Sequence, residues 1–269
     1  DSTPVRSYCN PDKESISDPE AGWIAKGGSG KNKEWRFGYR LHMVVDANYE
    51  LPISKRLTLA MVQDSQMMLL LLRETKNNLP WFDPDVVIAD KGYDSGDNYQ
   101  GIVQEFDASP IIPLAAKSKN EPPEITGSPA APYCPAGLSL VYRGWDKNKG
   151  IQYECPERAG KAICPLLIKC GLKTVWVKPV HDYRRFGYRI KRGTEEWKEF
   201  YRKRVSIERV NSRLKETRRL EAHCFRSFDR INIHTTLSVL VMQAVALAKA
   251  KAGEMDEIRV CVMQVSRVY

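Results

Sequence analysis

The segment 201–215 constrains the fold of this 269-residue chain more strongly than any other stretch. It places Tyr201, Arg204, Glu208 and Lys215 at offsets 0, 3, 7 and 14. At about 100° per residue, these four side chains fall within one narrow stripe of an α-helix. One carboxylate among cations suits a helix face that holds a divalent metal ion together with a polyanion. A solvent-exposed helix with mixed charges is the alternative.

A site for two hard cations requires further carboxylates, because one glutamate cannot hold both ions. Asp90 directly follows the short apolar run 86–89, which is typical of a strand buried on both faces. Gly92 supplies a turn just after it, and ligands bind at the carboxyl ends of strands in open α/β sheets. An aspartate here can alternatively cap a turn or the next helix. Asp1 is the other candidate carboxylate.

Three blocks occur in order along the chain: residues 1–3 (Asp-Ser-Thr), 89–95 (Ala-Asp-Lys-Gly-Tyr-Asp-Ser) and 201–215 (Tyr-x2-Arg-x3-Glu-x6-Lys). Together they resemble the DDE transposases of bacterial insertion sequences, in the group with the Tyr-Arg-Glu-Lys motif. Residues 38–42 and 51–53 also look like the second and third strands of that family. The resemblance implies an RNase H-like catalytic domain, a mixed α/β sheet flanked by helices.

The resemblance also implies the roles of individual residues. Asp1, Asp90 and Glu208 match the metal-binding triad, which takes two Mg²⁺ or Mn²⁺ ions. The residues that position DNA in the family are matched by Tyr201, Arg204 and Lys215. The implied activity is metal-dependent DNA strand cleavage and strand transfer during transposition. The implied partners are transposon-end and target DNA, bound by a homodimer, in the cytoplasm and associated with the nucleoid.

Two features depart from the family pattern. Gln63 precedes Asp64, where many relatives carry histidine. The chain also starts on the first expected metal ligand, so the strand residues that precede it in the family are missing. Two alternative functions therefore remain: an RNase H-like nuclease without strand transfer, and a truncated, non-catalytic DNA-binding remnant of a transposase.

Charge and apolar patterning agree with a DNA-directed protein. The chain carries 42 Lys and Arg against 33 Asp and Glu, a net charge of +9, and a basic surface attracts phosphate backbones. No signal peptide is expected, because the first twenty residues are polar and acidic. The apolar stretch 231–250 contains Asn232, His234 and Gln243, so we predict a buried C-terminal helix rather than a membrane span. Seven cysteines without a secretory segment favour a reduced, cytoplasmic setting.

Hydrophobic periodicity predicts the order of elements in the first half of the chain. Residues 10–34, with the glycine-rich run 26–31, are expected to form a mobile loop. Asp64 or Ser65 is the expected N-cap of the first helix. The predicted elements are a hairpin over 35–45 and 51–59, a helix over 67–75, a strand over 86–89, a helix over 98–106 and a strand over 109–114.

A Cys-containing insertion is predicted before the last catalytic helix, because prolines and polar residues replace the periodic pattern after residue 116. We assign 1–115 to the first part of the catalytic core, 116–185 to the insertion, 186–252 to the C-terminal helices of the core and 253–269 to a tail. Four thiolates within the insertion could hold one structural Zn²⁺: Cys134, Cys155, Cys164 and Cys170. Isolated buried or surface thiols, and then disulfides, are the alternatives.

Overall fold

The computed structural model describes residues 1–26, 34–115, 126–128, 131–146, 149–166, 170–177, 183–190, 192 and 194–259. Most of the glycine-rich run, the first part of the predicted insertion and the end of the predicted tail lie outside these ranges. The chain forms two compact units: one comprises Asp1–Phe82 and Lys203–Tyr269, and the other comprises Asp83–Arg202.

The strands are β1 (Ser2–Arg6), β2 (Gly22–Lys26), β3 (Glu34–Asp46), β4 (Leu51–Leu59), β5 (Val86–Ile88), β6 (Ser109–Ile111), β7 (Thr126–Ser128), β8 (Ala131–Tyr133), β9 (Val141–Asp146), β10 (Gly150–Glu154) and β11 (Thr174–Val177). The helices are α1 (Asp64–Asn78), α2 (Gly96–Phe106), α3 (Tyr183–Phe186), α4 (Glu195–Arg202), α5 (Val205–Glu216) and α6 (Phe228–Lys251). Short 3₁₀ turns cover Lys91–Tyr93 and Met255–Glu257.

The long strand β3 organises the sheet of the first unit. It pairs antiparallel with β1 along one edge and with β4, then β2, along the other. Gly38 therefore lies between Arg6 of β1 on one side and Gly22 of β2 on the other. A Cβ at Gly38 would lie 2.1 Å from the carbonyl oxygen of Val5, which makes glycine necessary for this close approach to β1.

The prediction of a continuous loop over residues 10–34 is wrong for its central part. Residues 22–26 form β2, and Ile24 is 2% exposed in the core. Trp23, Ile24 and Ala25 form a short apolar run that suits a strand, with Ile24 buried and Trp23 about half exposed, although the glycines on either side of the run predict a loop.

Helices cover both faces of this sheet. The side chains of Tyr39, Leu41 and Met43 alternate to one face of β3, where they join the core with residues of α5 and α6. Helix α1 contacts β3 and β4, and Thr75 of this helix hydrogen-bonds Ser54 of β4. Its N-cap is Gln63 rather than Asp64 or Ser65, because the carboxylate of Asp64 pairs with Arg40 instead.

Helix α6 packs on the sheet as predicted, but with one face only. Ile231, Val239 and Met242 lie in the core, while Ile233 and Leu240 remain about half exposed. The ammonium group of Lys55 in β4 donates to the side-chain oxygen of Asn232 at 2.6 Å, which ties the helix to the sheet. Among the described helices, α6 alone is long and apolar enough to cross a membrane by length and composition.

The second unit contains a parallel strand pair and an antiparallel sheet. Strands β5 and β6 pair in parallel and are connected by α2, while β9, β10 and β11 form an antiparallel sheet. The residues of β5 are half-buried, not fully buried as predicted from their apolar run. Pairing among the described strands gives separate sheets rather than one mixed sheet. The architecture is mixed α/β with several sheets and helices, as in an RNase H-like domain.

The helix predicted over residues 201–215 is interrupted. Helix α4 ends at Arg202 and α5 begins at Val205. The amide of Ser206 donates to the carbonyl of Lys203 at 3.0 Å, a three-residue bond that tightens the chain at this point. The hydroxyl of Ser206 also donates to the carbonyl of Ala47 at 2.9 Å, which anchors the start of α5 to the β3–β4 turn. Thr194 precedes α4 and accepts a hydrogen bond from the amide of Trp197, as an N-cap does.

Candidate active site

Asp1 lies at the start of β1, on the sheet face that α5 covers. Its backbone carbonyl accepts a hydrogen bond from the amide of Met43, so the two residues are cross-strand neighbours. Side chains alternate along a strand, which puts Asp1 on the same face as Thr3 and Val5. One carboxylate oxygen accepts the amide of Ser2 at 2.7 Å.

Glu208 lies in the first turns of α5 and is paired with Arg204. The guanidinium group donates to the carboxylate at 2.6 Å, and the side chain of Glu208 is 51% exposed. The adjacent residues Ile207 and Val210 are buried in the core. Helix α5 therefore directs its apolar stripe into the sheet and leaves the carboxylate of Glu208 accessible to ligands.

A buried glutamate outside the predicted site holds α5 on the β3–β4 turn. Glu50 is 5% exposed and has a backbone φ of 52°. Its carboxylate accepts from Arg209 at 2.6 Å and from Arg213 at 3.0 Å. The two arginines are one turn apart on α5, so this single carboxylate sets the rotation of the helix about its axis.

Lys215 belongs to a second ionic cluster on α5. Its ammonium group lies 2.8 Å from Glu221, and Arg36 of β3 donates to the same carboxylate at 2.7 Å. Burial raises the pKa of Glu221, but the hydrogen bonds and charges of Lys215 and Arg36 outweigh it, and the net pKa is lowered. The carboxylate stays ionised and orients two cations.

Asp90 follows β5 in the second unit and caps a tight turn. Its carboxylate accepts the amide of Gly92 at 2.8 Å. Asp94, at the end of the same turn, is fully buried and accepts two bonds from Arg184, at 2.7 and 2.8 Å. It also accepts the amide of Ala115 at 2.8 Å. Sequence reasoning placed Asp94 inside the motif but gave it no role, and the structure shows that it holds the Asp90 turn in place.

Tyr201 lies in α4 and packs within the second unit. Its ring stacks on Trp197 at 5.3 Å between centroids, with 17° between the planes. Both rings contact the cluster that contains Ile111 and Ile190. The single helix predicted over 201–215 is wrong at residues 203 and 204: Tyr201 lies in α4, whereas Glu208 and Lys215 lie in α5.

The four cysteines of the predicted zinc set line one cavity together with Arg158 and Leu172. Cys134 and Cys155 are buried, at 3% and 5% exposure. The disulfide alternative is wrong for the described cysteines, all of which are free thiols. The shared cavity rules out four scattered surface thiols.

The described side chains do not form a closed metal cage. Within the described ranges, no three His, Cys, Asp or Glu residues are grouped closely enough to hold a metal ion. Asp1 and Glu208 belong to the first unit and Asp90 to the second. The chemistry of the donors nevertheless fits: carboxylates suit Mg²⁺ and Mn²⁺, and four thiolates suit Zn²⁺.

Comparison with known proteins identifies the class. The sequence model of the transposase DDE domain family matches residues 1–243, whereas no curated protein and no solved structure matches the chain significantly. The matched family consists of metal-dependent enzymes that cleave and join DNA. The chain belongs to the transposase DDE domain family.

The family establishes the activity. The chain is a transposase catalytic domain, which cleaves DNA and transfers strands using divalent metal ions such as Mg²⁺ or Mn²⁺. Transposases bind DNA and are typically cytoplasmic proteins. The predicted family and enzyme class are confirmed, and nothing in the comparisons favours a nuclease without strand transfer or a non-catalytic remnant.

Proposed function

We propose that Asp1, Asp90 and Glu208 are the metal-binding triad of an insertion-sequence transposase of the Tyr-Arg-Glu-Lys group. The ion pair between Arg204 and Glu208 carries the proposal, because it joins an accessible carboxylate on α5 to a cation at the start of the same helix that can bind phosphate. Bound divalent ions supply activation of water or a DNA 3′-hydroxyl and stabilisation of the leaving oxygen.

The cations around the triad hold DNA. Arg204 offers a planar donor set that matches a phosphate, and Lys215 offers a point charge. Glu221 keeps Lys215 and Arg36 near each other, so a phosphate approaching Lys215 meets two cations. Tyr201, whose ring stacks on Trp197, positions the transposon end.

Substituting Glu208 separates catalysis from DNA binding. Glu208→Gln should lower metal-dependent cleavage of a plasmid carrying the encoding element's terminal sequences by at least about 100-fold, because an amide lacks the charge that holds the ion. Affinity for the same DNA, measured by fluorescence anisotropy, should change less than about threefold. Glu216→Gln, an exposed carboxylate on the same helix, is the matched control. Cleavage by Glu208→Gln at the wild-type rate would remove Glu208 from the triad.

Substituting the cations should produce the opposite pattern. Arg204→Ala and Lys215→Ala should each weaken DNA binding, and the slope of log affinity against log salt should become shallower by about one unit per lost phosphate contact. Arg73→Ala, on α1, serves as a control for general charge loss. An unchanged slope in both variants contradicts phosphate contact by these two residues.

We also propose that Cys134, Cys155, Cys164 and Cys170 bind one structural Zn²⁺ within an insertion over residues 116–185. Their placement around one cavity supports this. A metal would stabilise the small β9–β10–β11 sheet, which has a limited apolar core.

Metal analysis of the purified chain tests the zinc site. We expect about one zinc per chain, lost in Cys164→Ser and retained in Cys224→Ser, whose thiol is exposed and outside the cavity. Zinc-free protein with an unchanged melting temperature after chelator treatment would exclude the site.

The remaining assignments concern assembly and location. We propose that the protein acts as a homodimer on paired transposon ends and target DNA, associated with the nucleoid. Residues 1–115 and 186–252 would form the catalytic core, and 253–269 the tail. The net charge of +9 supports association with DNA.

A further inference from the structure

Helix α6 has a second apolar face, opposite the one that packs in the core. It consists of Ile233, Leu237, Leu240, Ala244 and Leu247, called the α6 seam below. The four large side chains are 59%, 55%, 51% and 57% exposed in that order. Such a continuous exposed apolar stripe is unusual on a monomeric protein and marks a contact surface.

The spacing of the seam is that of a coiled coil. Successive members are four, three, four and three residues apart, the a/d repeat that brings two helices together. Thr235, Ser238 and Met242, on the other side of the helix, are buried against the sheet. The a/d spacing of the exposed residues therefore indicates contact with a further helix, one that is not part of this fold.

The distribution of charge along α6 indicates which partner can bind the seam. Two copies of a chain with net charge +9 repel each other, yet no charged residue occurs in α6 between Arg230 and Lys249. A second copy can approach along this neutral face without juxtaposing like charges. Asp229 in the first turn and Lys251 in the last turn are both exposed, and they are complementary when the two helices run in opposite directions.

We propose that the α6 seam pairs antiparallel with the α6 seam of a second copy of this chain. This rests on the proposed homodimer and names its interface. Antiparallel pairing places Asp229 beside the partner's Lys251 at both ends and aligns the two helix dipoles favourably. The seam spans about 21 Å along the helix, which is short for a stable interface, so we expect micromolar association without DNA.

Sedimentation equilibrium of the whole chain, without DNA, tests the seam. The wild type should form dimers at micromolar concentration, and Leu240→Glu should raise the dissociation constant by at least about 30-fold. Leu70→Glu is the matched control, because Leu70 is 46% exposed on α1, away from the seam. Both variants should keep the wild-type circular dichroism spectrum, since neither side chain is buried.

Charge exchange tests the antiparallel direction. Asp229→Lys alone and Lys251→Asp alone should each weaken the dimer about threefold to tenfold, and the double variant should recover to within about threefold of the wild type. No recovery in the double variant overturns the antiparallel arrangement.

The other outcomes are equally decisive. A dimer that Leu240→Glu leaves intact would place the interface elsewhere, which overturns the seam but keeps the proposed homodimer. A wild type that stays monomeric at all concentrations overturns the seam as a self-contact. If that monomer also binds vesicles of phosphatidylcholine and phosphatidylglycerol in a Leu240-dependent manner, the face is a membrane contact instead.

Discussion

The buried surroundings of the His42 side chain determine what this residue does. Its side chain is 1% exposed, on the face of β3 toward α1, and its Nε2 lies 3.0 Å from the hydroxyl of Thr58. Burial lowers the pKa of His42 to about 4; the charge of Asp64 opposes this shift, and those of Arg40 and Arg56 add to it. The imidazole is therefore neutral at physiological pH and supports the fold, not proton transfer.

Protonation of His42 should destabilise the fold in acid. Its folded-state pKa of about 4 lies below the ordinary value of about 6.5, so the unfolded chain binds the proton first as pH falls. The free energy of unfolding should decrease between about pH 6.5 and pH 4, by about 3 kcal/mol in total from this group. Urea denaturation of the wild type and His42→Gln across this range tests it. An equally steep pH dependence in the variant would assign the effect to other groups.

The turn that carries Asp90 shows what individual elements contribute. Arg184 and the amide of Ala115 saturate the buried carboxylate of Asp94, and Asn98 donates to the carbonyl of Tyr93. These bonds reach the turn from three different segments of the second unit. The position of Asp90 therefore depends on contacts from across the second unit and not on the local motif alone.

Removing Asp94 should therefore be costly. Asp94→Ala leaves the guanidinium of Arg184 without its carboxylate in a largely buried position, and we expect a loss of about 3–5 kcal/mol in the free energy of unfolding. Asp97→Ala, an exposed carboxylate in the same segment, should change the stability by no more than about 0.5 kcal/mol. Chemical denaturation of both variants provides the measurement. Equal stabilities would mean that the Asp94–Arg184 pair does not hold the turn.

Local sequence patterns predicted which helices and strands form better than they predicted where each one ends or which elements it contacts. Alternation gave the hairpin of β3 and β4, and helical periodicity gave α1 and α2. The break between α4 and α5 coincides with the bond from Ser206 to Ala47, a contact 159 residues apart in sequence that no local pattern contains.

The same contrast between local patterns and tertiary contacts applies to the residues of the candidate site. The motifs predict roles for Asp90 and Glu208 because their neighbours in sequence are characteristic. Glu50 and Glu221, which orient α5 and its cations, have no motif, and their roles come from contacts with distant segments. Supporting residues of this kind become visible only when the tertiary structure is known.

The carboxylates of the proposed triad are far apart in the sequence. Asp1 and Glu208 belong to the first unit, whose sheet and α5 position them, and Asp90 belongs to the second. A metal-dependent transposase needs these carboxylates on the same pair of ions during the reaction. Shared metal binding is therefore the property that distinguishes a triad from three unrelated acidic residues.

Iron-directed cleavage of the protein backbone measures this property directly. With Fe²⁺ in place of Mg²⁺ on DNA-bound protein, ascorbate and peroxide generate hydroxyl radicals that cut the chain close to the ion. We predict cuts near residues 90 and 208, both suppressed by excess Mg²⁺ and both lost in Glu208→Gln, because the proposed triad requires all three carboxylates to bind the same ions. Cuts near residue 90 that persist undiminished in Glu208→Gln, or cuts at only one of the two positions in the wild type, would contradict a shared metal site.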